Sequence, residues 1–337
     1  MSQSPILEVK NLRREFAPPR DAISRFSDWV QRRPPLGAVQ AVAGVDLQVN
    51  AGEVVGIVGE SGCGKSTLGR MLAGILTPSS GDIHFKGQSI KQLNSQARRE
   101  YELAVQMIFQ DPFSSLNPRM RVVDIIGEAP VVHGLIRRAD QESYVVGLME
   151  RVGLDASTRF RYPHQFSGGQ RQRIGVARAL ALNPTVLVCD EAVAALDVSI
   201  QAQVLNLFHR LQKELGLTYL FISHNLGVVS HLADRVMIMY LGKVVEIGDT
   251  ETIFERPSHP YTQALIKELP KLRMERRDFV PIKGELPSPL NPPSGCAFHP
   301  RCPHVMPRCL QQEPKLAEVS RSPEGVAHAS ACHLNDV

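Results

Sequence analysis

Gly59-Glu60-Ser61-Gly62-Cys63-Gly64-Lys65-Ser66 follows the pattern G-x-x-x-x-G-K-[ST], whose chemistry is the holding of phosphate. Glycines let the backbone pass close to a phosphate, so that its N–H groups and the start of the next helix face the anion. Lys65 can reach the β- and γ-phosphates, Ser66 can ligand Mg²⁺, and Thr67 stands beside them as a further nucleotide contact. A second set closes an apolar run, Val186-Leu187-Val188-Cys189-Asp190-Glu191. Asp190 is the candidate Mg²⁺ partner, directly or through water, and Glu191 the candidate general base for an attacking water. Two adjacent carboxylates alone would describe a solvated strand end. After four apolar residues, in a chain that also carries a phosphate loop, they describe a hydrolytic site.

These residues need a scaffold that brings strand ends together. From about Leu7 to Gly248, short β-branched runs alternate with longer helical patterns. Val54–Val58, Val105–Phe109, Thr185–Cys189, Thr218–Ile222 and Val236–Met239 read as buried strands; Lys65–Ile75, Gly169–Leu182 and Ile200–Leu215 read as helices. The alternation predicts an α/β fold with a mainly parallel sheet, whose ligands gather at the carboxyl ends of the strands. An all-helical stretch between about Val122 and Tyr162 predicts an inserted helical subdomain, ending near 170. Ala17–Ala38, bounded by Pro18-Pro19 and Pro34-Pro35, is an excursion in which Ile23, Phe26, Trp29 and Val30 have helical spacing. It fits a short helix packed on its own domain, or a contact with a membrane partner or a bilayer surface. Near Pro257 the rhythm stops and a Pro-rich, Cys-bearing tail begins, giving units 1–256 and 257–337.

Of 337 residues, 43% are hydrophobic and 21% charged, as in ordinary globular chains, and the net charge of +4 comes without the basic tracts of a nucleic-acid binder. No run approaches the roughly 18–20 apolar residues that cross a bilayer. The first residues lack a basic stretch followed by an apolar one, so a cytoplasmic location is expected, where structural disulfides are rare.

Ser167-Gly168-Gly169-Gln170, followed by Arg171, Gln172 and Arg173, offers a hydroxyl, two glycine amides and a helix start, a second anion-binding edge. It resembles the signature motif of ABC-type ATPases, a branch of the P-loop NTPases. The resemblance implies that this edge binds the γ-phosphate of ATP held by another subunit. Other family elements stand in order. Gln110 matches the Q-loop glutamine, which reaches Mg²⁺ and the water. Ala195-Leu196-Asp197 matches the D-loop, with Asp197 at the dimer interface, and His224 the switch histidine. Phe16 is the candidate for the aromatic that stacks on adenine, although a Phe at a strand end also suits a core. The resemblance thus implies nucleotide contacts from Phe16, Gly59, Ser61, Gly62, Cys63, Gly64, Lys65, Ser66, Thr67, Gln110, Asp190 and His224. Across the interface it adds Ser167, Gly168, Gly169, Gln170 and Asp197. Ala192, Ala194 and Asn225 stand where the family usually has Pro, Ser and Asp; none of them removes a phosphate, metal or water contact.

The segment Gln110-Asp111-Pro112-Phe113-Ser114-Ser115-Leu116-Asn117-Pro118-Arg119-Met120 resembles that of dipeptide, oligopeptide and nickel importers, with Phe113 and Leu116 as an exposed docking patch for a permease helix. His259-Pro260-Tyr261 and Gly284–Pro293 resemble the extension of the peptide-importer ATPases, most closely of the second, F-type subunit. The implied partners are a second, homologous ATPase subunit, two permease subunits at the cytoplasmic face of a bacterial inner membrane and, indirectly, an extracytoplasmic binding protein. Import of nickel or glutathione, or a soluble ABC ATPase without transport, is the alternative. Cys296, Cys302, Cys309 and Cys332 lack the C-x2-C pairs of zinc ribbons. By resemblance they hold a [4Fe–4S] cluster; zinc, with help from His299, His304, His328 and His333, and plain reduced thiols stay open. Cys63 and Cys189 read as structural.

Overall fold

Val54–Val58 is buried at all five positions, the mark of a strand covered on both faces. In the computed structural model, which describes residues 4–17, 37–111, 113–194, 196–269, 284–322 and 325–336, it is the third of twelve described strands. These are β1 (Leu7–Phe16), β2 (Val39–Val49), β3 (Val54–Val58), β4 (Ser80–Phe85), β5 (Gln88–Ser89), β6 (Val105–Ile108), β7 (Val186–Asp190), β8 (Thr218–Ser223), β9 (Arg235–Tyr240), β10 (Lys243–Asp249), β11 (Ala317–Arg321) and β12 (Ala327–Ser330). The larger sheet has the order β11-β12-β10-β9-β3-β8-β7-β6. It is parallel from β9 through β6 and antiparallel from β9 outward to β11.

Alternate residues of its central strands feed two cores. Val55, Ile57, Val188 and Ile222 point to a cluster shared with β1, β2, β4 and the helix Lys65–Leu72. Val54, Val58, Leu187, Cys189 and Phe221 point to one shared with Val122–Val132, Gln141–Arg151 and Gly168–Leu180. The first two of those helices form the expected insertion.

Two features depart from the expected plan. A second, antiparallel sheet, β2-β1-β4-β5, covers one face of the first; its strands alternate buried and exposed residues and leave no long apolar run to read. The tail also returns to the core, where β12 pairs with β10 through Glu246–Ser330 and Ile247–Ala329. The excursion with Ile23, Phe26, Trp29 and Val30 lies outside the described residues.

Candidate functional site

The phosphate loop joins β3 to the helix Lys65–Leu72. Gly64 caps that helix with φ 104°, and a Cβ there would stand 2.0 Å from the Ala41 carbonyl oxygen of β2. Only glycine satisfies both demands. Lys65 is 4% exposed, and its Nζ donates to the carbonyls of Gly59 at 2.7 Å and Glu60 at 2.9 Å. Ser66 Oγ donates to Asp190 Oδ1 at 2.7 Å. The helix and β7 thereby set a hydroxyl and a carboxylate side by side, hard oxygens of the kind Mg²⁺ prefers. Burial raises the Asp190 carboxyl above its ordinary value, and the Ser66 bond opposes the shift.

Glu191 stands just past β7 with φ 47°, left-handed backbone that a non-glycine residue holds only under constraint. The constraint is visible: its N–H donates to the Ile222 carbonyl at 2.9 Å. Its Oε2 accepts from Gln110 Nε2 at 2.8 Å and lies 3.3 Å from His224 Nδ1. Residues following β6, β7 and β8 thus converge on one carboxylate, which brings Gln110 and His224 together at Glu191.

Ser167 caps the helix Gly168–Leu180 in a capping box: its Oγ accepts from the Gln170 N–H at 3.3 Å, and Gln170 Oε1 accepts from the Ser167 N–H at 3.0 Å. Ser167 and Gln170 are exposed. No hydrogen bond or ion pair links Ser167–Gln170 to Lys65, Ser66, Asp190 or Glu191 among the described residues. Asp197 is likewise exposed, capping Val198–Leu215 by its backbone position; Ala195 lies outside the described residues. The turn carrying Ala192 and Ala194 is held without proline, by Ala194 N–H to the Glu191 carbonyl at 3.0 Å and by Gln201 Nε2 to the carbonyls of Val193 and Leu196, each at 3.0 Å. Asn225 caps Leu226–Ser230, its Oδ1 accepting from the Gly227 N–H at 2.9 Å.

Phe16 is 40% exposed, with the Arg14 guanidinium 4.7 Å from its ring centre. It pairs with Val39, two residues from the Ala41 carbonyl that abuts Gly64, so β1 ends beside the phosphate loop. In the expected docking patch, Phe113 is 61% exposed under the Arg171 guanidinium at 4.0 Å. Leu116 is a correction: it is 1% exposed, packed into the core on the helical side, where an apolar side chain is more stable than in water.

In the tail, no group of three or more His, Cys, Asp and Glu is gathered to hold a metal ion among the described residues. The four cysteines are nonetheless free and within electrostatic reach of one another. Burial pushes the Cys332 thiol up to about 11, with Cys296, Cys302 and Cys309 adding to the shift. Backbone N–H groups of Phe298, His304 and Leu334 point at the sulfurs of Cys296, Cys302 and Cys332. Three of the four nearby histidines are engaged elsewhere: His299 with the Cys296 carbonyl, His328 with Glu246, and His333 with Asp336 and the Gln312 carbonyl. The sequence reading did not find Arg301, whose guanidinium grips Glu60 of the phosphate loop at 2.8 and 3.1 Å; a separation of 241 residues leaves no local signal.

Residues 42–194 match the family described as ABC transporter, and residues 245–309 that described as oligopeptide/dipeptide transporter, C-terminal region. The oligopeptide transport ATP-binding protein AppF of Bacillus subtilis is 48% identical over 99% of this chain and 98% of its own. The dipeptide transport ATP-binding protein DppF of Escherichia coli is 44% identical over 94% and 92%. Among solved structures, cbiO1 of Clostridium perfringens, part of an ABC transporter complex, superposes with a TM-score of 0.61 at 27% identity, covering 75% of this chain and 92% of that one.

Proposed function

Since the chain belongs to the family of ATP-binding subunits of oligopeptide and dipeptide ABC transporters, we propose that it hydrolyses ATP to power the uptake of di- or oligopeptides. The observation that carries the chemistry is Glu191, held by Gln110 and His224 at the strand mouth that also bears the Ser66–Asp190 pair. The loop amides and Lys65 bind the phosphates, Phe16 stacks on the base, and Glu191 takes the proton of the attacking water while Gln110 and His224 keep its carboxylate aimed. Ser66, Asp190 and Gln110 would hold Mg²⁺, whose charge would offset that of the β- and γ-phosphates.

Exposure of Ser167 and Gln170 supports a composite site in which this edge, with Asp197, serves the nucleotide of a second, homologous ATPase subunit. Turnover per chain should therefore be at least about tenfold lower in the isolated protein at high dilution than in the full transporter, measured by phosphate release. Monomer turnover equal to that of the full transporter would exclude shared sites. Exposed Phe113 supports docking to two permease subunits at the cytoplasmic face of the membrane. A binding protein outside would deliver the peptide, and no nucleic acid takes part. Reconstitution with the permeases in vesicles tests the substrate: ATP-dependent uptake of labelled dipeptide is expected, and uptake of nickel or glutathione alone would overturn the peptide assignment.

We assign residues 1–256 to the ATP-binding domain, with its helical subdomain about 122–170, and 257–337 to an extension that carries a [4Fe–4S] cluster on Cys296, Cys302, Cys309 and Cys332. Mutual electrostatic reach and the N–H groups aimed at three of the sulfurs suit such thiolates. The cluster would supply a cross-link for a tail short of apolar residues. Anaerobically purified protein should contain about four iron and four sulfide per chain; zinc without iron would overturn this.

A further inference from the structure

Glu60, the second residue of the phosphate loop, has each of its polar groups held. Its N–H donates to Tyr261 Oη at 2.9 Å, its carbonyl accepts from Lys65 Nζ at 2.9 Å, and its carboxylate takes both terminal nitrogens of Arg301. Tyr261 and Arg301 both lie beyond residue 256, so the extension grips the loop at the backbone and at the side chain. The grip is well supported. Arg301 is 6% exposed, whereas Glu60 is 25% exposed. Tyr240, Tyr261 and Phe298 pack edge or tilted, with ring centres 4.8 to 5.3 Å apart.

Arg301 ends the turn His299–Arg301, which the cysteines bracket. The His299 N–H donates to the Cys296 carbonyl at 3.0 Å, the Cys302 N–H to the His299 carbonyl at 3.3 Å, and the Cys296 N–H to the Cys309 carbonyl at 2.8 Å. Whatever orders these cysteines orders the guanidinium. A two-pronged arginine–carboxylate pair fixes orientation as well as distance, and removing one partner leaves a poorly hydrated charge.

We propose that Arg301 is a positioning residue for ATP binding: it fixes Glu60, and with it the carbonyl that holds Lys65, so that the cysteine-bearing extension sets the affinity of the phosphate loop for ATP. The inference rests on the reading of that loop as the ATP site. In the assembled transporter, Arg301→Gln should raise KM for ATP about tenfold with kcat within about twofold, and Arg301→Lys, which keeps the charge but not the fork, should fall between. Glu60→Gln should also raise KM, and the double variant should be no worse than the weaker single one. Cys302→Ser should raise KM in the wild-type background and add nothing in Arg301→Gln. A general loss of stability would instead lower kcat or the amount of active protein, and its effects would add. Should Arg301→Gln fail to fold, Arg301→Lys with Glu60→Gln carries the same comparison. Unchanged KM in the Arg301 variants, or additive effects of Arg301 and Cys302, would overturn the proposal. Wild-type protein that binds no ATP, with Lys65→Ala no different, would instead overturn the reading beneath it.

Discussion

Glu191→Gln will lose turnover by about 10²- to 10⁴-fold while ATP still binds, the range expected for removal of a general base. The amide keeps an oxygen for Gln110 Nε2, which now donates to Glu191 at 2.8 Å, and nearly the same volume beside His224. Lys65, Ser66 and Asp190 are untouched. What goes is the basic oxygen facing the water. Phosphate release in the assembled transporter, set against equilibrium binding of ATP, separates the two effects. Near-normal turnover would remove Glu191 from the chemistry.

Gly64→Ala should cost at least about 100-fold in ATP affinity, because two penalties coincide. The left-handed backbone costs an L-residue roughly 1–2 kcal/mol. The new methyl would also lie 2.0 Å from the Ala41 carbonyl oxygen, a backbone atom of β2 that cannot swing aside. Gly62→Ala is the matched control. Gly62 has φ 83°, yet no protein atom lies within 4 Å of its Cβ position, so the clash with β2 is missing and a smaller loss, about tenfold, is expected. Circular dichroism would check that both variants fold. Equal affinities in the two variants would mean that the contact with β2 does not shape the loop.

How much of this was legible depends on how far apart in the chain the partners lie. The strand ahead of the phosphate loop was read as Val54–Val58 and is Val54–Val58, because five apolar residues before a glycine-rich turn admit few other structures. The acidic strand ends one residue later than read, at Asp190, since the pairing of β7 with β8 runs on to Asp190–Ile222 and backbone pairing does not require an apolar side chain. Gln110 and His224 were legible as candidate site residues through motif order, but their meeting at Glu191 was not, because contacts between residues so far apart in the chain leave no local signal. The return of the tail to the sheet was not legible. Ala317–Arg321 and Ala327–Ser330 are short, with one β-branched residue between them, and their pairing depends on partners across the fold. Leu116 was misread for the opposite reason, since a Pro-bounded turn looks exposed in sequence and only packing shows otherwise.

The pairing of β10 with β12 also sets a clock on synthesis. Glu246 is fully buried, accepting from the N–H groups of Ser258 and His259 and facing His328 Nε2 at 2.7 Å. Its strand partner, Ser330, joins the growing chain 84 residues later. At about 5–20 residues per second, the ribosome takes roughly 4–17 s to deliver it. Throughout that interval the phosphate loop and the parallel strands are already made. β10, however, is an open edge able to pair with a neighbouring nascent chain, and Glu246 is an acid without its histidine. Arrival of the hairpin covers that edge and brings His328 to the acid in one step, so β12 ends the exposure of β10 to edge-to-edge association.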